Sequence, residues 1–118
     1  MKHVLIVEDM SDHAFILQRH FGKMGFLTSV CTDVFLILQR VKEHLVDAVT
    51  IDISMPDVSG IDVIGYIREV DSKIKIVVIT ANATEAMRIT CLQKGANYYF
   101  VKPVNFNDLK MVFKDGKD

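Results

Sequence analysis

Asp47-Ala48-Val49-Thr50-Ile51-Asp52-Ile53-Ser54-Met55-Pro56 is the stretch on which the fold turns. A short run rich in Val and Ile, halted by a carboxylate and followed by a Pro-containing loop, reads as a strand covered on both faces of a parallel sheet. Asp47–Asp52 is therefore a strand, and Ser54-Met55-Pro56-Asp57-Val58-Ser59-Gly60 is a loop by its Pro, Asp and Gly content. A carboxylate at the end of a buried run needs a partner or a proton.

The same grammar recurs on either side. Val4–Val7 runs into Glu8-Asp9, Ile76–Ile79 into Thr80, and Tyr99–Val101 into Lys102-Pro103. If the four strands lie side by side and parallel, their C-terminal ends share one edge. That edge carries three carboxylates, a hydroxyl and an ammonium, and it is where open α/β sheets place their ligands.

Helical periodicity fills the intervals. After the first strand, His3–Val7, Ser11 or Asp12 can cap a helix in which Ala14, Leu17, Phe21 and Met24 recur at helical spacing. Gly25 is placed for a left-handed stop. Phe26–Cys31 is a mixed strand suited to a sheet edge. Thr32 or Asp33 opens a helix through about His44. After the central strand, helices span about Ile61 to Val70 and Thr84 to Lys94, the latter ended by Gly95. They flank a strand at Lys73–Thr80, and a further strand follows at Tyr98–Val101. Asn105 or Asn107 can cap a last helix carrying Leu109, Val112 and Phe113. Five βα units with right-handed crossovers imply a single doubly wound parallel sheet with helices on both faces.

Composition bounds the function. A chain of 118 residues, 50% apolar and 25% charged, has the prior of one globular domain. A net charge of -1 advertises no broad basic surface, so no nucleic-acid partner is expected for this chain. No stretch approaches the ~20 apolar residues of a membrane span, and the run after Lys2 is too short for a signal-peptide core. Cys31 and Cys91 lack neighbours at metal-ligand spacing and read as a reduced pair. A cytoplasmic protein without a membrane partner is the expectation.

The strand-end residues suit phosphate and metal chemistry together better than singly. Glu8-Asp9 alone is a solvated turn; with Asp52 close by it becomes a hard-cation site, since Mg2+ is usually held by one or two carboxylates plus phosphate oxygens. Three crowded carboxylates call for a divalent cation or an ammonium between them. Asp52 can be a ligand only, or a nucleophile that forms an aspartyl-phosphate. Phosphoryl transfer needs positioning and charge stabilisation, which Lys102 and Thr80 can supply. Pro103 invites a cis peptide after Lys102.

These residues carry a resemblance. Val7-Glu8-Asp9, Ile51-Asp52-Ile53-Ser54-Met55-Pro56, Gly60 eight residues past Asp52, Ile79-Thr80-Ala81 and Gly95-Ala96-Asn97-Tyr98-Tyr99-Phe100-Val101-Lys102-Pro103 stand in the order and spacing of a receiver domain of two-component response regulators. The chain resembles that family over essentially its whole length, residues 1–118. The resemblance implies a flavodoxin-like sheet of order 2-1-3-4-5. It implies a regulatory module with intrinsic Mg2+-dependent autophosphorylation and autodephosphorylation. Asp52 would accept a phosphoryl group from a sensor histidine kinase or phosphotransfer protein. Asp9 and Asp52 would bind Mg2+ directly, Glu8 through water and Ser54 through its backbone carbonyl. Lys102 would pair with the phosphoryl group. Thr80 would move toward it, and Tyr99 would be the coupled aromatic switch. The fourth helix, fifth strand and fifth helix would form the output surface, toward an output partner or a second copy.

The departures are specific. Tyr98 stands where receivers commonly carry Asp. The run Val34-Phe35-Leu36-Ile37-Leu38 is more apolar than one buried helix face requires; it is either tight packing with ordinary exposed residues or a partner-binding patch. The last helix looks short after Phe113, as in a stand-alone receiver or one cut from a longer regulator. Ser54 and Asn82, two residues past Asp52 and Thr80, are small and uncharged, so unusually fast self-hydrolysis is not expected. The competing reading is a Mg2+-dependent phosphatase with an aspartyl nucleophile on a related α/β sheet. That chemistry usually wants a second acid near the nucleophile, and position 54 is Ser. A nucleotide or flavin binder finds no Gly-rich loop after the first strand.

Overall fold

Alternation within each apolar run decides how the layers assemble. Successive strand side chains face opposite ways, so a strand apolar throughout must be covered on both faces. In the computed structural model, which describes residues 2–114, this is what the runs do. Val4 and Ile6 of β1 (His3–Val7), Ala48 of β3 (Ala48–Ile51) and Val77 and Ile79 of β4 (Lys75–Thr80) face one side. There they meet Ala14, Leu17 and Phe21 of α1 (Ser11–Lys23) and Leu109, Val112 and Phe113 of α5 (Phe106–Lys114). The alternate residues Leu5, Val7, Val49, Ile51, Ile76 and Val78 face the other side. They pack on Ile37 and Val41 of α2 (Val34–Lys42), Val63, Ile64 and Ile67 of α3 (Gly60–Val70) and Cys91 of α4 (Glu85–Lys94). Each fully buried Leu, Ile or Phe contributes about 1.5–3 kcal/mol of transfer free energy, so the two cores hold the sheet from both faces.

The five strands, completed by β2 (Leu27–Val30) and β5 (Tyr98–Val101), are parallel in the order β2-β1-β3-β4-β5. This is the doubly wound flavodoxin-like sheet, and β2 is an edge strand as its mixed sequence suggested. Register then aligns the strand ends. Val7 pairs with Ile51, Ile51 with Val78, and Thr80 with Val101. Glu8 and Asp52 occupy the next row after Val7 and Ile51, and Lys102 lies two residues beyond that row at the same edge.

Several boundaries differ from expectation, each for a local reason. Neither Ser11 nor Asp12 caps α1. Met10 holds the N-cap position without a side-chain bond, and its own N–H goes to Glu8 Oε2 at 3.2 Å. Ser11 and Asp12 fall instead in the first turn, where Asp12 suits the helix dipole. Asp33, not Thr32, caps α2, accepting from the Leu36 N–H at 3.1 Å. That helix ends at Lys42 because His44 takes a left-handed φ of 57° and the Leu45 N–H returns to the Arg40 carbonyl. β4 starts at Lys75 because Asp71 Oδ1 gathers the Lys73 and Ile74 N–H groups into a turn. β2 and β3 are each a residue shorter at both ends than read. α3 begins at Gly60, where a Cβ would lie 2.6 Å from the Ile53 Cα.

Gly25 and Gly95 carry positive φ, as their places after helices required. Asn105, rather than Asn107, caps α5 through the Asn107 and Asp108 N–H groups. Lys114 closes α5, and the tail that followed it in the short-helix reading lies outside the described residues. Among the described residues no helix is long and apolar enough to cross a membrane. Both cysteines are free.

Candidate functional site

Burial at the C-terminal edge concentrates the polar groups that the strand ends deliver. Glu8 is 3% exposed, Asp52 7% and Thr80 0%, and with Thr50 they are the buried polar or charged residues described. Buried carboxylates need compensation, and here it comes from one ammonium. Lys102 Nζ lies 2.7 Å from Glu8 Oε1 and 2.8 Å from Asp52 Oδ2. β5 carries Lys102 to the edge, and its N–H donates to the Thr80 carbonyl at 2.7 Å. The Lys102–Pro103 peptide is cis.

Asp52 is held from its other oxygen as well. The Ser54 N–H donates to Oδ1 at 2.8 Å, and the Asp52 N–H donates to the Val7 carbonyl at 3.0 Å. Burial alone pushes its carboxyl upward. The Lys102 hydrogen bond, the Ser54 N–H, the Lys102 charge and the Thr80 hydroxyl outweigh it, so Asp52 sits below its ordinary value. Lys102 mirrors this: burial pulls it down, but Asp52 and Glu8 raise it above the ordinary lysine value. The two shifts agree on a charged pair.

A second set of bonds leads away from the edge. Ser54 Oγ and Thr80 Oγ1 share a hydrogen bond of 2.8 Å. Thr80 Oγ1 accepts from the Asn82 N–H at 3.3 Å, and the Tyr99 hydroxyl donates to the Asn82 carbonyl at 2.7 Å. Burial, then the nearby Cys91 and Asp52, raise the Tyr99 phenol above its ordinary range. Asn82 Oδ1 accepts from the N–H and hydroxyl of Thr84, the N-cap of α4. Asp52, Ser54, Thr80, Asn82 and Tyr99 thus form one connected polar path from the sheet edge to α4 and β5.

The structure therefore brings together Glu8, Asp52, Lys102, Thr80 and Ser54. Asp9 stands exposed on the same turn as Glu8. Tyr99 joins through the Asn82 backbone rather than touching the charged cluster. At Ser54 the structure places the N–H against Asp52 and the hydroxyl against Thr80. Among the described residues no three Asp, Glu, His or Cys side chains converge as a ready metal cage, because Lys102 stands between Glu8 and Asp52. Mg2+ does not demand such a cage: it keeps several waters and binds through one or two carboxylates plus phosphate. The buried oxygens of Asp52 and Glu8 with the exposed Asp9 beside them fit that donor set.

One neighbour escaped the sequence reading. His13, in the first turn of α1, brings Nδ1 to 2.7 Å from Lys102 Nζ. The signal was its place four residues before Leu17, on the face of α1 that meets the sheet.

The comparisons with known proteins follow this geometry. The family model described as "Response regulator receiver domain" matches residues 4–114. The chain is 36% identical over 103 residues to the chemotaxis protein CheY of Thermotoga maritima, covering 86% of each. It is 33% identical over 100 residues to the transcriptional regulatory protein PrrA of Mycobacterium tuberculosis, covering 85% of this chain but 43% of that one, so it spans less than half of such a regulator. Among solved structures, CheY in the CheX-CheY-BeF3-Mg2+ complex of Borrelia burgdorferi superposes with a TM-score of 0.83 at 31% identity, covering 95% of this chain and 89% of that one.

Proposed function

This chain belongs to the response regulator receiver domain family, a family of phosphorylation-signalling modules, and from that premise we propose that residues 1–118 form one receiver whose phosphoacceptor is Asp52. The observation that carries the proposal is the Lys102 ammonium shared between Asp52 and Glu8 at the aligned strand ends. A carboxylate kept ionised there has an electron pair to offer and needs no separate base to activate it.

The donor is a phosphohistidine on a sensor histidine kinase or phosphotransfer protein. An Asp52 carboxylate oxygen attacks phosphorus, the P–N bond breaks, and the electron pair leaves with the imidazole nitrogen, which takes a proton. Lys102 neutralises charge on the phosphoryl oxygens. Mg2+, held by Asp9 and Asp52 directly, by Glu8 through water and by the Ser54 carbonyl, would supply the remaining charge neutralisation. The same site takes phosphoryl from small donors and later gives it to water. Ser54 and Asn82, two residues past Asp52 and Thr80, are small and uncharged, and neither is a base that would make self-hydrolysis unusually fast.

Thr80 and Tyr99 relay the event. A hydrogen bond from the Thr80 hydroxyl to a phosphoryl oxygen would draw on its present bond with Ser54. The Asn82 backbone, tied to both Thr80 and Tyr99, would pass the change on. The signal then leaves through α4, β5 and α5, toward an output partner or a second copy of the chain. Ile89, Tyr98, Val101 and Met111 expose apolar surface there. The proposed compartment is the cytoplasm, in keeping with two free cysteines.

The test is incubation with acetyl phosphate and Mg2+, read by intact mass. Wild type gains one phosphoryl group and Asp52→Ala gains none; equal gain by the two proteins overturns the assignment.

A further inference from the structure

An ammonium has three hydrogens to donate and no lone pair to accept with. Lys102 Nζ has three acceptors within hydrogen-bond distance: Glu8 Oε1 at 2.7 Å, Asp52 Oδ2 at 2.8 Å and His13 Nδ1 at 2.7 Å. Its donor capacity is therefore full. Two of the three acceptors are ionised and buried. The third is an imidazole nitrogen on a side chain 41% exposed, 3.8 Å from Glu8 Oε1. For His13 Nδ1 to face an ammonium it must present its lone pair, which puts the imidazole proton on Nε2.

We propose that His13 is a positioning residue for phosphoryl transfer: it is the third, displaceable acceptor that aims the Lys102 ammonium at the Asp52 oxygens. The inference rests on Asp52 as phosphoacceptor and adds a residue to that site. A phosphoryl group arriving on Asp52 brings new oxygens within reach of Lys102, and one existing bond must be released to meet them. All three bonds share the charged donor, but only the two carboxylates add the attraction of an opposite full charge. The neutral, half-exposed His13 is the bond that yields. Until then it prevents the flexible lysine stem from turning its ammonium toward water. His13 acts through Lys102 and need not touch the phosphoryl group.

The imidazole geometry supplies a discriminating set of variants. Asn Oδ1 lies as many bonds from Cβ as Nδ1 does, whereas Gln Oε1 lies one bond further. His13→Asn keeps an acceptor opposite Lys102, His13→Gln displaces it, and His13→Ala removes it. Losing one half-exposed hydrogen bond in the productive arrangement lowers a rate by about three- to tenfold. With acetyl phosphate and Mg2+, His13→Ala and His13→Gln should therefore lose about three- to tenfold in the maximal phosphorylation rate. The donor concentration at half-maximal rate should not change, and His13→Asn should recover to within about twofold. An unchanged rate in His13→Ala, or a His13→Asn as slow as His13→Ala, overturns the proposal.

A second readout on the wild-type chain needs no phosphorylation. In imidazole 15N spectra, His13 should show an unprotonated Nδ1 and a protonated Nε2, and Lys102→Met should abolish that tautomer preference. A proton on Nδ1 in the wild type overturns the proposal. Failure of wild type to take up phosphoryl, with the tautomer as expected, would instead count against Asp52 as acceptor.

Discussion

The C-terminal edge of the sheet and the α4–β5 flank beside it are built on opposite terms. At the edge, Glu8, Asp52 and Thr80 are almost wholly buried, and the charged groups compensate one another within 2.8 Å. On the flank, Ile89, Tyr98 and Val101 are exposed and apolar, and Tyr98 stacks on Phe100 at 6.4 Å between centroids. The edge is over-determined: register, burial and charge all fix the same few atoms. The flank is open, and its ties to the edge run through Asn82, whose carbonyl accepts from Tyr99 and whose side chain accepts from Thr84. Such an arrangement suits a site of fixed chemistry joined to a surface free to vary with its partner. One short loop between β4 and α4 belongs to both.

Predictions that break the edge should have the largest effect. Lys102→Met leaves two buried carboxylates without their cation, and loss of one partner from a buried pair costs about 3–5 kcal/mol. Denaturant unfolding should show a loss of at least about 2 kcal/mol, allowing for the part-exposed lysine. A pH series sharpens the point. The contribution of Asp52, depressed below its ordinary 3.8, is present above that value and lost as pH falls through the lower folded one. The contribution of Lys102, raised above its ordinary 10.5, is full below that value and lost as pH rises through the higher folded one. Wild type should thus show an extra loss of stability at both extremes relative to Lys102→Met. Parallel curves would show that the pair does not titrate as described.

Cutting the tie should have an intermediate effect. Tyr99→Phe removes the hydroxyl that donates to the Asn82 carbonyl and should cost about 0.5–1.5 kcal/mol. It should leave Asp52 phosphorylation intact while uncoupling it from amide shifts in α4 and β5, read by NMR before and after phosphodonor. Unchanged coupling would remove Tyr99 from the path. The smallest effect belongs to α2, far from both regions in function. Phe35 and Leu36 are exposed while Ile37 and Val41 are buried, so the Phe35→Ser, Leu36→Ser double variant should stay within about 0.5 kcal/mol of wild type. If partner binding is also unchanged, α2 carries no docking patch.

How much could be read beforehand follows the same division. The two-sided core and the meeting of Asp52, Glu8, Thr80 and Lys102 were legible because apolar runs end in polar stops, and the strand order followed from the resemblance to the receiver family. Burial of Ala14, Leu17 and Phe21 was legible from helical spacing. The start of α1 was not, because Ser11 and Asp12 look like caps until the path from Glu8 to Met10 is known. The role of Ser54 was only half legible: its hydroxyl meets Thr80 across two strands, a contact that no local pattern encodes. His13 was not legible because it flanks the buried stripe of Ala14, Leu17 and Phe21, and a half-exposed side chain there looks like surface. Tyr98 and Val101 turn exposed surface to solvent, and nothing inside the molecule says what that surface is for.

The central claim is that the buried carboxylate of Asp52, and no other, accepts the phosphoryl group. Borohydride reduces an acyl phosphate to the alcohol, converting a phosphorylated aspartate to homoserine. After acetyl phosphate, Mg2+ and borohydride, peptide mass mapping should find homoserine at position 52 and unaltered aspartate at position 9. Homoserine elsewhere, or none at position 52 in protein that had gained a phosphoryl group, would contradict the account.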